Sequence, residues 1–343
     1  MQKKKILFLV GSSNQTTQMH QIAIALRDYD CFFSQLYSTH PFVKWVLKKG
    51  FLDNTILGGR FKQQSDQYLR ENGLMNDYAA SIYNNTYDLV VCCSDLLVDR
   101  SICTTKTVFV QEGMTDPVTL WAKIVHFLKL PALTAMNTAF NGSGNKCDIY
   151  CVASEGYKQQ FIRYGTDAKR ILVTGIPNYD NIRAFCNNNF PHSDYVMVAT
   201  SDIRETFKSE NRKAFIQNCV AIANGRQLLF KLHPNEDKKR AVDEIKALTP
   251  PNTLIYTEGN TGEMIANCDE LITQYSTVVY IGIALGKKVH SYFDVDELKR
   301  LAPLQNDGTS ATTIADICRR YVEHKGSRES FLSQYQLPGL QKV

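Results

Sequence analysis

A chain of 343 residues exceeds the size at which one core keeps growing, so two domains of about 150 residues each are expected. Hydrophobic residues at 44% and charged residues at 21% exclude a disordered or fibrous chain. The net charge of +5 is spread along the length, with one basic run at Lys3, Lys4 and Lys5, and no basic stripe interleaved with aromatics points to nucleic acid.

Ile6 to Val10 is a continuous apolar run ending at Gly11, the pattern of a buried parallel strand. It is too short for a signal peptide or a spanning helix, so the chain is expected in the cytoplasm. A helix follows, with candidate caps among Ser12, Ser13, Asn14 and Thr16 and with Met19, Ile22, Ala23 and Leu26 on one face. Cys31 to Tyr37, Leu89 to Cys93 and Thr107 to Val110 read as strands, and Gln67 to Tyr83 as a helical or mixed segment. Val118 to Leu133 is apolar on much of its surface, with Lys123 and Lys129 interspersed. It reads as a core or domain-interface helix, with contact to a membrane surface as the other reading. Cys147 to Ala153 is a further strand, Glu155 to Tyr164 a helix, and Arg170 to Thr174 a strand closing on Gly175, Ile176 and Pro177.

Phe185 to Asp194 carries no periodicity and reads as a linker. A second alternating series begins at Tyr195 to Thr200. It continues through a helix Arg212 to Asn224, a strand Leu228 to Leu232 and a helix Lys238 to Leu248. A strand Thr253 to Thr257, a helix Thr261 to Cys268 and a strand Glu270 to Thr273 complete it. Two such series predict an α/β chain of two Rossmann-like doubly wound domains, 1–184 and 194–324, facing across a cleft. The last helix, Thr312 to His324, and the tail 325–343 have the freedom to cross back onto the first domain.

The segment LFKLHPNED ends an apolar strand on a polar His-Pro pair, at the place where such sheets bind ligands. Pro234 stops the strand and aims His233 outward, where an imidazole can donate to a phosphate oxygen; the bland reading is a histidine that caps the strand end. In ELITQYSTVVYIGIALGKK a strand leads through Gln274 and Tyr275 to Ser276 and Thr277. These hydroxyls open an apolar helix expected to run to Leu285, a donor-phosphate site or ordinary N-capping. In TVFVQEGMTDP, Gln111, Glu112 and Gly113 follow a strand. Gly113 is expected to allow a sharp turn that sets Glu112 as a general base, with Asp116 as the alternative base and a solvated turn carboxylate as the bland reading.

Gly11, Ser12 and Ser13, and the turn from Gly175 to Asn178, are further candidates for the cleft. His20 reads as a structural histidine. The ten cysteines have no C-x-x-C pair and no histidine segment at zinc spacing, so they read as buried, reduced thiols and no metal site is expected.

With these motifs the chain resembles the GT-B superfamily of glycosyltransferases. The VQEG loop, the stretch CDIYCVASEGYKQQFIRYG to KRILVTGIPNYDNI, and KLHPNED to ITQYSTVVYIGIALGKK carry the likeness in order. The middle stretch is similar to UDP-N-acetylglucosamine 2-epimerases and the last to CDP-glycerol glycerophosphotransferases. The combination of acidic-Gly, His-Pro and Ser-Thr is similar to CMP-sugar transferases, including bacterial sialyltransferases. The resemblance implies Glu112 as base, His233 as the His-Pro histidine, and Ser276 with Thr277 as the donor-phosphate pair, joined by Pro234 and Tyr275. Two positions depart from it. Gln111 stands where the first acid is often found, and the helix after Thr277 lacks the acidic pair that grips a ribose, which counts against UDP and against epimerisation.

The expectation is an inverting glycosyltransferase that needs no metal or other cofactor. It moves a sugar or a glycerol-phosphate-like group from a nucleotide-activated donor to a glycan or lipid-linked hydroxyl acceptor, in cell-surface glycan or glycolipid synthesis. Peripheral contact with the inner face of the cell membrane would follow from a lipid-linked acceptor. The alternatives are a UDP-N-acetylglucosamine 2-epimerase-like enzyme and a non-catalytic nucleotide-sugar-binding protein.

Overall fold

The computed structural model describes residues 3–35, 45–46, 49–51, 59–77, 86–94, 105–128, 138–206 and 210–335. The chain forms two compact units: Met1–Asp180 with Gly308–Val343, and Asn181–Asp307.

In the first unit seven strands form one parallel sheet: β1 (Lys5–Leu9), β2 (Asp30–Ser34), β3 (Met75–Asn76), β4 (Leu89–Cys92), β5 (Lys106–Val110), β6 (Ile149–Val152) and β7 (Ile171–Val173). Their order is β3-β2-β1-β4-β5-β6-β7. Leu7 of β1 stands opposite Phe32 and Val90, in the middle of the sheet. The inner strands are unbroken apolar runs because helices cover both sheet faces. The helices here are α1 (Ser13–Ile24), α2 (Gly59–Glu71), α3 (Leu120–Phe127) and α4 (Glu155–Arg163). The mixed segment from Gln67 resolves into the end of α2 and the short strand β3; positions 36–37, 78–83 and 129–133 of the expected elements lie outside the described residues.

The second unit has five parallel strands: β8 (Tyr195–Ala199), β9 (Leu228–Lys231), β10 (Leu254–Tyr256), β11 (Cys268–Thr273) and β12 (Lys288–His290), in the order β10-β9-β8-β11-β12. Its helices are α5 (Arg212–Ala223), α6 (Lys238–Leu248), α7 (Thr261–Asn267), α8 (Val279–Ala284) and α9 (Val295–Leu301). Val196, Val198, Phe230 and Ile272 of the sheet pack with Phe215, Ile216 and Cys219 of α5 and Ala241 and Ile245 of α6. Both sheets reverse strand order beside their first strand, which puts a crevice at the carboxyl edge of each.

Two expectations about the domain boundaries need correction. The segment 185–194 is part of the second unit. Ring atoms of Phe185 lie 2.7 Å from where a Cβ on Gly262 would sit, Phe190 packs its ring on Tyr195 and Tyr256, and Asn188 accepts from Asn267 Nδ2 at 2.8 Å. Aromatic rings seated on neighbours hold it without periodic secondary structure.

Helix α10 (Ser310–Glu323), placed within the second domain's expected bounds but left free to cross back, belongs to the first unit, as does α11 (Arg328–Gln334). Ile314, Ile317, Cys318 and Tyr321 join the core built on β1, β4 and β5. Lys106 Nζ donates to the carbonyls of Tyr321 and Val322 at 2.7 and 3.3 Å, and Lys4 Nζ to Val322 O at 3.0 Å, so cations at two strand starts occupy the carbonyl-rich end of this helix. At its other end Ser310 N–H donates to Asp180 at 2.7 Å, and Ser310 Oγ to Thr174 O at 3.0 Å.

The nine described cysteines are free; Cys186 is exposed and Cys31 half-buried, against the expectation of burial. Burial pushes the Cys151 and Cys219 thiols up to about 12, which leaves them inert.

Candidate functional site

In the first unit the chain leaves β1 at a buried Gly11 and turns at Ser12, whose extended backbone and Oγ, accepting Gln15 N–H at 3.2 Å, cap α1. The same hydroxyl donates to Glu112 Oε1 at 3.1 Å. Asn14 Nδ2 donates to that oxygen at 3.2 Å, and Gln15 Nε2 to Oε2 at 2.7 Å. A carboxylate offers about four acceptor sites, so three bonds hold Glu112 in place and leave about one lone pair for an incoming proton.

Asn178 completes the group. Its Nδ2 donates to Asn14 O and Oδ1 at 3.0 and 2.9 Å, and its Oδ1 accepts from Gln21 at 3.0 Å. Gly175, at φ +72°, makes the turn that delivers it. Thus Gly11, Ser12, Glu112, Gly175 and Asn178 gather at one sheet edge, while Ser13 is exposed and takes no part in these bonds.

Two neighbours of Glu112 act differently from expectation. Gly113 is buried and is not among the described glycines with left-handed backbone. The turn is held instead by Gln111, whose Nε2 donates to Gly113 O at 2.7 Å while its Oε1 accepts Ala153 N–H at 2.9 Å. This explains an amide where the resemblance leads one to expect an acid, because an ionised carboxylate cannot donate. Asp116 is spent on a loop clasp: it accepts Thr138 N–H and Oγ1 at 2.9 and 2.8 Å, and its own N–H donates back to Thr138 Oγ1 at 2.9 Å. His20 is structural, bonded to Tyr68 at 3.0 Å, and burial lowers its pKa.

In the second unit the His-Pro turn leaves β9. His233 N–H donates to Thr200 Oγ1 and to Glu236 Oε2, both at 3.0 Å. Its Nδ1 accepts Asn235 N–H at 3.2 Å, which assigns the ring proton to Nε2. The side chain is 33% exposed, with Asp202 Oδ2 3.7 Å from Nδ1; Pro234 is exposed beside it. Across β8, Ser201 Oγ donates to Gln274 Oε1 at 2.8 Å, bridging the point where strand order reverses. Consecutive residues at the end of β8 therefore tether both the His233 turn and the loop carrying Tyr275, Ser276 and Thr277.

Ser276 and Thr277 do not cap a long helix. Helix α8 starts at Val279, spans six residues and has no side-chain cap; Ser276 and Thr277 lie in the turn before it, their carbonyls accepting from Val279 and Tyr280 N–H at 3.3 and 3.1 Å. A helix this short contributes little dipole, so any phosphate affinity here rests on the hydroxyls. Tyr275 is 52% exposed.

Beneath this edge runs a buried ionic network absent from the sequence reading. Glu236 also accepts from Thr200 Oγ1 and from Arg212 at 3.0 Å, Arg212 and Arg204 reach Glu210 at 3.5 and 3.3 Å, and Glu210 accepts from Gln274 Nε2 at 2.6 Å. The one local signal was Glu236, three residues after His233, where a carboxylate can turn back onto a backbone N–H.

Among the described residues no group of three or more His, Cys, Asp or Glu side chains could hold a metal ion. None of the described helices is long and apolar enough to cross a membrane. Helix α3, read as a core or domain-interface helix, buries Ala122 and Val125 but exposes Leu120, Trp121 and Phe127, and Leu128 just after it is exposed too.

No family model and no curated protein matches the sequence. Solved structures match the fold. A structure described as a putative UDP-N-acetylglucosamine 2-epimerase from Listeria monocytogenes aligns with a TM-score of 0.60 at 13% identity, over 94% of this chain and 97% of that one. UDP-GlcNAc 2-epimerase from Neisseria meningitidis aligns at 0.56 and 10% identity, over 92% and 100%. The wall teichoic acid polymerase TagF aligns at 0.52 and 13% identity, over 94% and 91%. The chain thus has the two Rossmann-like units of the GT-B fold.

Proposed function

We propose that this chain is a nucleotide-sugar-dependent glycosyltransferase of the inverting kind. It transfers a sugar or glycerol-phosphate-like group to a hydroxyl in cell-surface glycan or glycolipid synthesis. The observation that carries this reading is the pairing at the end of β8, where Thr200 tethers the His233 turn and Ser201 the Gln274 to Thr277 loop. It sets one imidazole N–H donor and two hydroxyls at the carboxyl edge of one parallel sheet, the chemistry that receives a phosphate.

In this reading the second unit binds the nucleotide, and His233 Nε2–H, Ser276 and Thr277 donate to its phosphate oxygens. The first unit binds the acceptor. With a sugar donor, Glu112 takes the acceptor proton as the acceptor oxygen bonds to the anomeric carbon and the bond from that carbon to the phosphate oxygen breaks; with a glycerol-phosphate-like donor the acceptor oxygen bonds instead to the transferred phosphorus, and the bond from it to the oxygen of the nucleotide phosphate breaks. Charge on the leaving phosphate is met by these donors, so the reading assigns no role to a metal ion or other cofactor.

A lipid-linked acceptor fits the first unit. The exposed apolar face of α3 carries Lys123 beside it, and no Asp or Glu occurs between Asp116 and Asp148, a composition suited to the anionic surface of a bilayer.

Isothermal titration of the full chain with UDP, CDP and CMP tests the reading. One of them binds, and His233→Ala weakens it at least tenfold with an unchanged melting temperature; absence of binding by all three sinks it. The epimerase reading draws on the fold neighbours that carry that activity in their names, one of them solved with UDP-GlcNAc bound. Incubation with UDP-GlcNAc and no acceptor separates the two, since only epimerisation yields a new sugar epimer. The apolar helix α8, with no carboxylate for a ribose, favours the transferase.

A further inference from the structure

A pocket of about 690 Å³ lies in the second unit between α5 and the loops that follow β11 and β12. Aromatic rings form part of its wall. Tyr275 and Tyr292, each 52% exposed, meet edge to face with centroids 5.3 Å apart, and Phe215 lies buried behind Tyr292 at 6.2 Å and 86°. Its polar groups include the amides of Gln274, Asn211 and Asn218 and the carboxylate of Glu210.

The side chain of Glu210 is 4% exposed. Its Oε1 accepts from Gln274, while Oε2 stands 3.3 Å from Arg204 Nε and accepts no hydrogen bond. A buried acceptor without a donor is costly until a ligand supplies one. Among the described residues no Lys, Arg or His lines this pocket, and the charge of Glu210 is met from behind by Arg204 at 3.3 Å and Arg212 at 3.5 Å. A wholly apolar ligand would leave Oε2 and the amides unsatisfied. A ring with C–H faces and many hydroxyls meets both demands: its faces lie against the tyrosines, and its O–H groups donate to Glu210 and exchange bonds with the amides.

We infer that this pocket receives a hydroxyl-rich saccharide ring, held by Glu210, the amides and the two tyrosines. The inference rests on the nucleotide-sugar reading in taking that ring to be the glycosyl part of the ligand.

Saturation-transfer NMR on the full chain tests it, with glucose, N-acetylglucosamine, UDP, CMP and inorganic phosphate as separate probes. Ala214 is exposed and lines the pocket on α5, so Ala214→Trp fills the space while leaving Glu210 and both tyrosines in place. Asn218→Leu, also at an exposed position, serves as an independent second variant, and thermal melting confirms the fold of each. The expected result is transfer to at least one sugar in the native chain, reduced at least fivefold in both variants, with nucleotide signals unchanged and no effect of phosphate on sugar binding. No transfer to either sugar, undiminished transfer in both variants, or displacement of the sugar by phosphate overturns the assignment. Sugar binding without nucleotide binding would leave the pocket standing and the transferase reading fallen; nucleotide binding without sugar binding would do the reverse.

Discussion

Glu270 lies within β11 and should make the second unit sensitive to acid in a defined way. Its side chain is 10% exposed and is held by Arg226 Nη1 at 2.7 Å, His290 Nε2 at 2.8 Å and Lys288 Nζ at 3.2 Å. Burial alone would raise its pKa, but hydrogen bonds from Arg226, His290 and Lys288 outweigh that and bring the carboxyl to about 2 from an ordinary 4.5. The folded value is the depressed one, so the stabilisation is complete above pH 4.5 and is lost as pH falls through 4.5 toward 2. The difference of about 2.5 pH units at about 1.4 kcal/mol each gives about 3.5 kcal/mol at most. Arg226 and Lys288 are 39% and 66% exposed, and screening at those ends reduces this to about 2 kcal/mol.

Glu270→Gln cannot ionise and should lose about 2 kcal/mol at pH 7 and almost nothing relative to the native chain near pH 2. Urea unfolding of both proteins, followed by circular dichroism at steps from pH 7 to pH 2.5, reads this as two midpoints that converge as pH falls. A gap that stays constant over that range would refute the assignment of the stabilisation to the ionised carboxylate.

Glu112→Gln should lower transfer by about 10² to 10⁴. Melting should fall by only a few degrees, because the Gln15 amide can flip to accept from the new amide; turnover within tenfold of the native enzyme would remove Glu112 as the base. Gly262→Ala places a methyl 2.7 Å from the ring of Phe185 and should cost about 1–2 kcal/mol by overpacking, seen as a lower urea midpoint; an unchanged midpoint would show that the ring moves freely. Trp121→Ser with Phe127→Ser should abolish co-sedimentation with phosphatidylglycerol vesicles while nucleotide binding persists, and equal sedimentation of both proteins would show that α3 does not meet the lipid.

The strands and most helices could be read from the chain because their cause is local. A strand covered on both faces must be a continuous apolar run, as Ile6 to Leu9 and Tyr195 to Ala199 are, and alternation of such runs with amphipathic helices admits few folds. The placing of Glu112 and His233 was legible for a related reason, since a polar residue just past a buried strand stands at the carboxyl edge of the sheet.

Partnership across long separations was not legible. The apolar face of α10 suits any sheet, and bonds such as those to Lys4, Lys106 and Asp180 assign it to the first unit. Nothing near Asp116 announces Thr138, nothing in the Gln-Glu-Gly loop announces Ala153, and Phe185 in a polar run gives no sign of the glycine beneath it. Periodicity reports whether a side chain is buried, whereas its partner is set by which strands become neighbours; that was decided only when each sheet assembled, as when β8 and β11 paired and brought Ser201 against Gln274.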